Sequence, residues 1–209
     1  MLGVCCPAPS VRDGMSVDWY LTVRRARAVL LSAIVLSAVV VILGSRELPI
    51  PNLGSGVALT LPLAYLLPAV QGALVVGSIG EPPYAAEQVA VRAPAILDAL
   101  LIVALLASVA LPLVVVGLLV DDVLLAAVRN LLGFVGAGLL ARPVVGGRGA
   151  AVVPVVVSVL LAAFAGADRG ALWAWPMHPA SSLPATVVAV ALLCAGMFVA
   201  HRCRGLRVR

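Results

Sequence analysis

The run Ala99–Val120, ALLIVALLASVALPLVVVGLLV, is followed by Asp121-Asp122 and then by Val123–Ala141, VLLAAVRNLLGFVGAGLLA. The first run carries no charge and the second carries one, Arg129. A helix rises about 1.5 Å per residue, so roughly 20 residues cross a hydrocarbon core about 30 Å thick. Both runs have that length, and the two residues between them leave room only for a tight turn. The pair predicts a transmembrane helical hairpin, with Asp122 as a cap on its second helix. A barrel needs strands that alternate in polarity, and runs such as Val152–Leu161 do not alternate.

The same reading extends along the chain. Ala28–Gly44, Val57–Ser78, Ala150–Ala167 and Ala185–Ala200 are further apolar segments, which makes six in all. The expected fold class is an all-α integral membrane protein with six transmembrane helices. It has a cytoplasmic arm at 1–27, a membrane domain at 28–201 and a basic tail at 202–209. Composition agrees. Of 209 residues, 63% are hydrophobic and 11% charged, against about 45–50% and about 25% in a soluble domain. A soluble globular protein and a disordered one are both excluded.

Charge placement predicts orientation. All 14 basic residues are Arg. Arg12, Arg24, Arg25 and Arg27 lie in the arm, Arg92 after the second segment, and Arg142 and Arg148 after the fourth. Arg202, Arg204, Arg207 and Arg209 lie in the tail. Only Arg46 and Arg169 fall on the other side. The positive-inside rule places both termini in the cytoplasm of a multi-pass plasma-membrane protein. The net charge of +5 comes without an aromatic platform, so no nucleic-acid partner is expected. The Arg-only usage, with abundant Ala, Val, Gly and Pro, suggests a G+C-rich genome such as that of an actinobacterium. Met15 is an alternative start to Met1, because Met1–Gly14 is rich in Pro and Gly and shows no periodicity.

Chemistry-bearing residues are few. Arg129-Asn130 lies about 10 Å below the Asp pair, and a lipid-facing charge there costs at least about 2.5–3.5 kcal/mol. Arg129 is expected either to line a pathway or touch an anionic substrate, with Asp121 and Asp122 as further pathway or conformational candidates, or to snorkel toward Asp121 or Asp122. Gln71, among Pro62, Tyr65 and Pro68, is expected to bond a neighbouring helix or to join that pathway. Gly133, Gly136, Ala137 and Gly138 form a small-residue surface suited to close helix packing. Trp173, Trp175 and His178, in the loop before the last segment, are expected at the outer interface. Ser16–Arg27 reads either as an interfacial amphipathic helix or as a plain basic flank. Neither His has a second ligand at helical spacing, and the Cys lack metal-ligand spacing, so no metal is expected. A P-loop needs Lys, which is absent, and no cofactor is implied. No paired acids or nucleophile face each other across the segments, so an enzyme is not expected.

Three stretches carry a resemblance: Ala86-Glu87-Gln88-Val89-Ala90-Val91-Arg92, Val128-Arg129-Asn130-Leu131-Leu132-Gly133 and Trp173-Ala174-Trp175-Pro176-Met177-His178-Pro179. With the six-segment layout, they resemble the membrane (permease-like) subunits of type-2 ABC transporters, and a group of small actinobacterial six-span proteins placed with them. The resemblance implies an N-terminal helix along the membrane, a cytoplasmic element between spans 2 and 3 that touches the ATPase, and a partly embedded element before span 6. It implies ATPase contact for Glu87 and Arg92, and conformational or pathway roles for Arg129 and Asn130. The expected partners are the lipid bilayer, a separate ATP-binding subunit, and a second copy or homologue as a dimer. The alternative reading is a non-transport anchoring, assembly or immunity factor, which the sparse polar content of the segments favours.

Overall fold

Residues 26–51, 58–79, 94–164 and 172–206 are described by the structure, a computed structural model. The arm 1–25, which holds most of the Ser16–Arg27 reading, lies outside them, as do Glu87 and Arg92.

Helix α1 is Ala26–Leu43. Strands β1 (Glu47–Pro51) and β2 (Ala58–Pro62) follow, then a 3₁₀ turn at Leu63–Tyr65 and helix α2 at Leu67–Ser78. Helix α3 is Pro94–Leu119, α4 is Val123–Phe164, and a second 3₁₀ element, Leu172–Met177, precedes α5 at Leu183–Leu206. The described residues are mostly helical, and among them four helical stretches are long and apolar enough to cross a membrane: Ala26–Leu43, Leu97–Leu119, Val123–Phe164 and Leu183–Arg202. Large apolar side chains such as Leu118, 71% exposed, point outward along them. In water such surface would drive aggregation; here it faces lipid.

Two expectations need correction. First, the mostly helical fold, which agrees with an all-α membrane class, also carries a short hairpin: β1 and β2 pair antiparallel, with Leu48 opposite Leu61 and Ile50 opposite Leu59. The segment expected as one helix over Val57–Ser78 is instead strand, 3₁₀ turn and a 12-residue helix. Proline explains the division. Pro62 is extended (φ −59°, ψ 137°) and cannot donate to a helix, whereas Pro68 sits in the first turn of α2, where its missing N–H is no loss. Leu63 N donates to Arg46 O and Ala64 N to Gly44 O, both at 3.0 Å, which fastens the hairpin to the end of α1.

Second, the loop expected at Arg142–Gly149 shrinks to one residue. Gly146, at φ 74° and ψ 174°, interrupts α4. A continuous helix would hold residues 138 and 150 about 18 Å apart. Instead a Cβ at Gly138 would lie 3.2 Å from both Ala150 O and Pro154 Cγ. The two halves, 123–145 and 147–164, therefore fold back on each other. That backbone region is essentially glycine-only, so Gly146→Ala should cost about 1–3 kcal/mol. A lowered thermal midpoint in detergent is the expected reading.

Contacts between elements fix their depth. At one end, Ser45 Oγ donates to Asp121 Oδ2 at 3.1 Å, joining the α1 terminus to the α3–α4 turn. At the other end, Arg142 Nη2 donates to Ile79 O at 2.9 Å, joining α4 to the exit of α2. Between them, Gly72 lies beside Phe134, and Gly138 beside Val76. Helix α2 and residues 123–145 thus run side by side in the same direction. The cap at the α4 start is Asp121, not Asp122: Val123 N donates to Asp121 Oδ1 at 3.0 Å, and Asp122 is exposed.

Candidate functional site

Arg129 and Asn130 stand on the second turn of α4 and are 4% and 0% exposed. The guanidinium is enclosed by backbone oxygen. Nη1 donates to Pro179 O at 2.8 Å, and Nη2 donates to His178 O at 2.7 Å and Pro176 O at 3.5 Å. Nε and Nη2 both reach Asn130 Oδ1 at 3.3 Å. Asn130 Nδ2 donates in turn to Pro176 O at 2.9 Å and to Tyr65 O at 3.4 Å.

The sequence after Leu172 makes this arrangement possible. Pro176 and Pro179 cannot donate backbone hydrogen bonds, so a helix cannot run on through them. The carbonyls at the end of the 3₁₀ element are left without intrahelical donors. A cation favours the negative end of such dipoles, and a planar guanidinium spreads several donors over several carbonyls at once. The charge is thus covered in lipid by carbonyl oxygen. The snorkelling expected toward Asp121 or Asp122 is not what its bonds show: they go to the loop backbone and to Asn130. Tyr65 lies within electrostatic range of Arg129, Asp121 and Asp122.

The element clasped in this way enters the bundle. Trp175, expected at the outer interface, is 5% exposed, while Trp173 is 46% exposed. The Trp175 ring lies 5.3 Å from Phe134 at 53°. It fills the space that Gly133 leaves open: a Cβ there would come within 2.2 Å of the ring. Interfacial preference of Trp yields to a groove that matches its shape. The small-residue face of α4 is used inside the chain. Gly133 receives Trp175, Gly136 receives the α5 backbone at Leu192 and Leu193, and Gly138 receives Val76 and the returning half of α4.

Gln71 is fully buried on α2, and its Nε2 donates to Ser37 Oγ of α1 at 3.1 Å. The sequence reading named Gln71 but missed Ser37, whose polarity inside an apolar segment was the available signal. It also missed the carbonyls of Pro176, His178 and Pro179, which have no side-chain signature. Among the described residues, no group of three His, Cys, Asp or Glu is placed to hold a metal.

No protein-family model, curated protein or solved structure matches the chain. The functional reading therefore rests on this geometry and on the pattern of the sequence.

Proposed function

We propose that the chain is a six-pass bacterial plasma-membrane protein with both termini in the cytoplasm, serving as the transmembrane subunit of an ABC-type transporter with a separate ATPase subunit. The observation that carries this reading is the element Leu172–Met177, folded into the bundle before the last helix and held by Arg129 and Asn130. An embedded element at this position is what the type-2 ABC layout calls for. The leg count supports the topology. Helices α1, α3 and α5 give three legs, the halves of α4 give two, and α2 with its hairpin gives the sixth. Arg27, Arg142, Arg148 and Arg202 lie at the Gly146 end, and Arg46 at the hairpin end, which makes the Gly146 end cytoplasmic.

Orientation is tested by cysteine labelling in intact cells, in a background without the native Cys. A membrane-impermeant maleimide is expected to label Glu47→Cys and Ser182→Cys but to reach Arg202→Cys only after permeabilisation. The reverse pattern overturns the orientation.

The partner is tested by purifying the tagged chain in mild detergent from its native host. A stoichiometric ATPase is expected, and Glu87→Ala with Arg92→Ala should release it. A specific observation favours the second reading, an anchoring, assembly or immunity factor: the strongest donors inside the bundle, those of Arg129 and Asn130, are already engaged with the chain's own backbone, leaving little for a passing substrate. Recovery of the folded chain without any ATPase selects that reading.

A further inference from the structure

We propose that Gln71 and Ser37 hold one water molecule between α1 and α2 at the middle depth of the bundle. Gln71 Oε1 is the one buried side-chain oxygen or nitrogen among the described residues that lacks a hydrogen-bond partner. Its depth makes that costly. Gln71 precedes Gly72, which lies beside Phe134, and Phe134 is the middle residue of 123–145. Gln71 is fully buried, and a buried orphan acceptor is strongly disfavoured.

The protein offers no donor for it. Ser37 has one hydroxyl proton, and it goes to Ala33 O at 2.8 Å. Turning the amide over would strand its N–H donors in place of one acceptor. The neighbouring positions on the two helices, Ala33, Val40, Val75 and Val76, belong to the apolar core cluster. What remains is two acceptors, Gln71 Oε1 and the free lone pair of Ser37 Oγ, beside one unused N–H of Gln71 Nε2; Ala33 O is already taken by the Ser37 hydroxyl. A ligand for that set must give protons and accept few, must be neutral, and must be small. Water meets all of these requirements, and a buried water typically makes about three such bonds. An anion is excluded by the same set. The inference does not depend on the transporter reading, since an anchoring protein needs the same bond.

The test uses the full chain in lipid nanodiscs with glutamine labelled by ¹³C at Cδ. The chain has two glutamines, Gln71 and Gln88, so Gln88→Asn leaves a single label. The infrared carbonyl band of Gln71 is expected at the lower, hydrogen-bonded frequency. In solid-state NMR, magnetisation from water protons is expected to reach Gln71 Cδ several-fold more strongly than the methyls of Val75. A band at the unbonded frequency overturns the proposal, because the acceptor is then empty. A bonded band without transfer from water also overturns it, because the donor is then a protein group.

Discussion

Arg129→Leu is expected to remove most of the folded protein. The substitution takes away one side of a bonded set and leaves the other in place. Asn130 Oδ1 loses both guanidinium bonds, and the carbonyls of Pro176, His178 and Pro179 each lose a charged donor. Pro176 O keeps Asn130 Nδ2, and Pro179 O keeps the N–H of Ser182 at 3.1 Å, so the damage centres on Asn130 Oδ1 and its two lost guanidinium bonds. Hydrogen bonds to charged groups contribute about 1.5–3 kcal/mol each, and two such losses total about 3–6 kcal/mol. Removing the buried charge returns part of this, but the backbone oxygens cannot be removed with it. Against a whole-protein stability of about 5–15 kcal/mol the effect is large. The thermal midpoint in detergent is expected to fall by about 10 °C or more. Arg129→Lys should lie between, because one ammonium cannot serve three carbonyls and Asn130 in the geometry of the fork. Trp175 fluorescence reports the same event, since the clasp keeps that ring beside Phe134. If Arg129→Leu melts like the parent and loses only transport, the guanidinium belongs to a pathway and the clasp is not its role.

The pattern of what could be read in advance has a physical basis. Apolar length is a local property, so the α3–α4 turn at Asp121-Asp122 was legible, and α4 begins at Val123 as read. The hairpin was not, because the sum of hydropathy over Val57–Ser78 treats Leu59 and Leu61 alike in a strand or a helix. Its pairing with Glu47–Pro51 is decided by a distant stretch. The break between Ala141 and Ala150 was legible from where the apolar segments stop, but only the backbone shows that a single residue, Gly146, in an unusual conformation reverses the chain. Arg129 had to be covered by something; the cover proved to be carbonyls some fifty positions away, and every residue carries a carbonyl. Trp175 obeyed a shape complement set by Gly133, a contact between side chains far apart in sequence. Local rules thus located the four long apolar helices, while the site depended on long-range contacts.

The crossing of α4 and α5 should be the second point of failure. A Cβ on Gly136 would lie 2.4 Å from Leu192 C and from Leu193 N, and one on Gly196 would lie 2.6 Å from Gly136 O and 2.9 Å from Leu139 Cβ. Three of these four atoms are backbone, so a side-chain rotation cannot relieve the clash, and the helices must part. Gly136→Ala is expected to cost about 1–3 kcal/mol or somewhat more, the range for overpacking. The gain in intrinsic helix propensity, about 1 kcal/mol, opposes this and is too small to offset it fully. Gly77→Ala is the control: its Cβ would meet only Ala151 Cβ at 3.4 Å, an ordinary contact, so that propensity gain should show as a neutral or raised midpoint. Gly136→Ala with Gly196→Ala should cost less than the sum of the two, because helices already parted for one methyl have room for the other. The crossing also bears on the site. Helix α5 starts shortly after Pro179, so parting α4 from α5 pulls the Pro176–Pro179 carbonyls away from Arg129. Gly136→Ala should therefore shift Trp175 emission along with the midpoint, whereas Gly77→Ala should shift neither downward. Equal melting of all three variants would show that the close approach at Gly136 does not hold the bundle together.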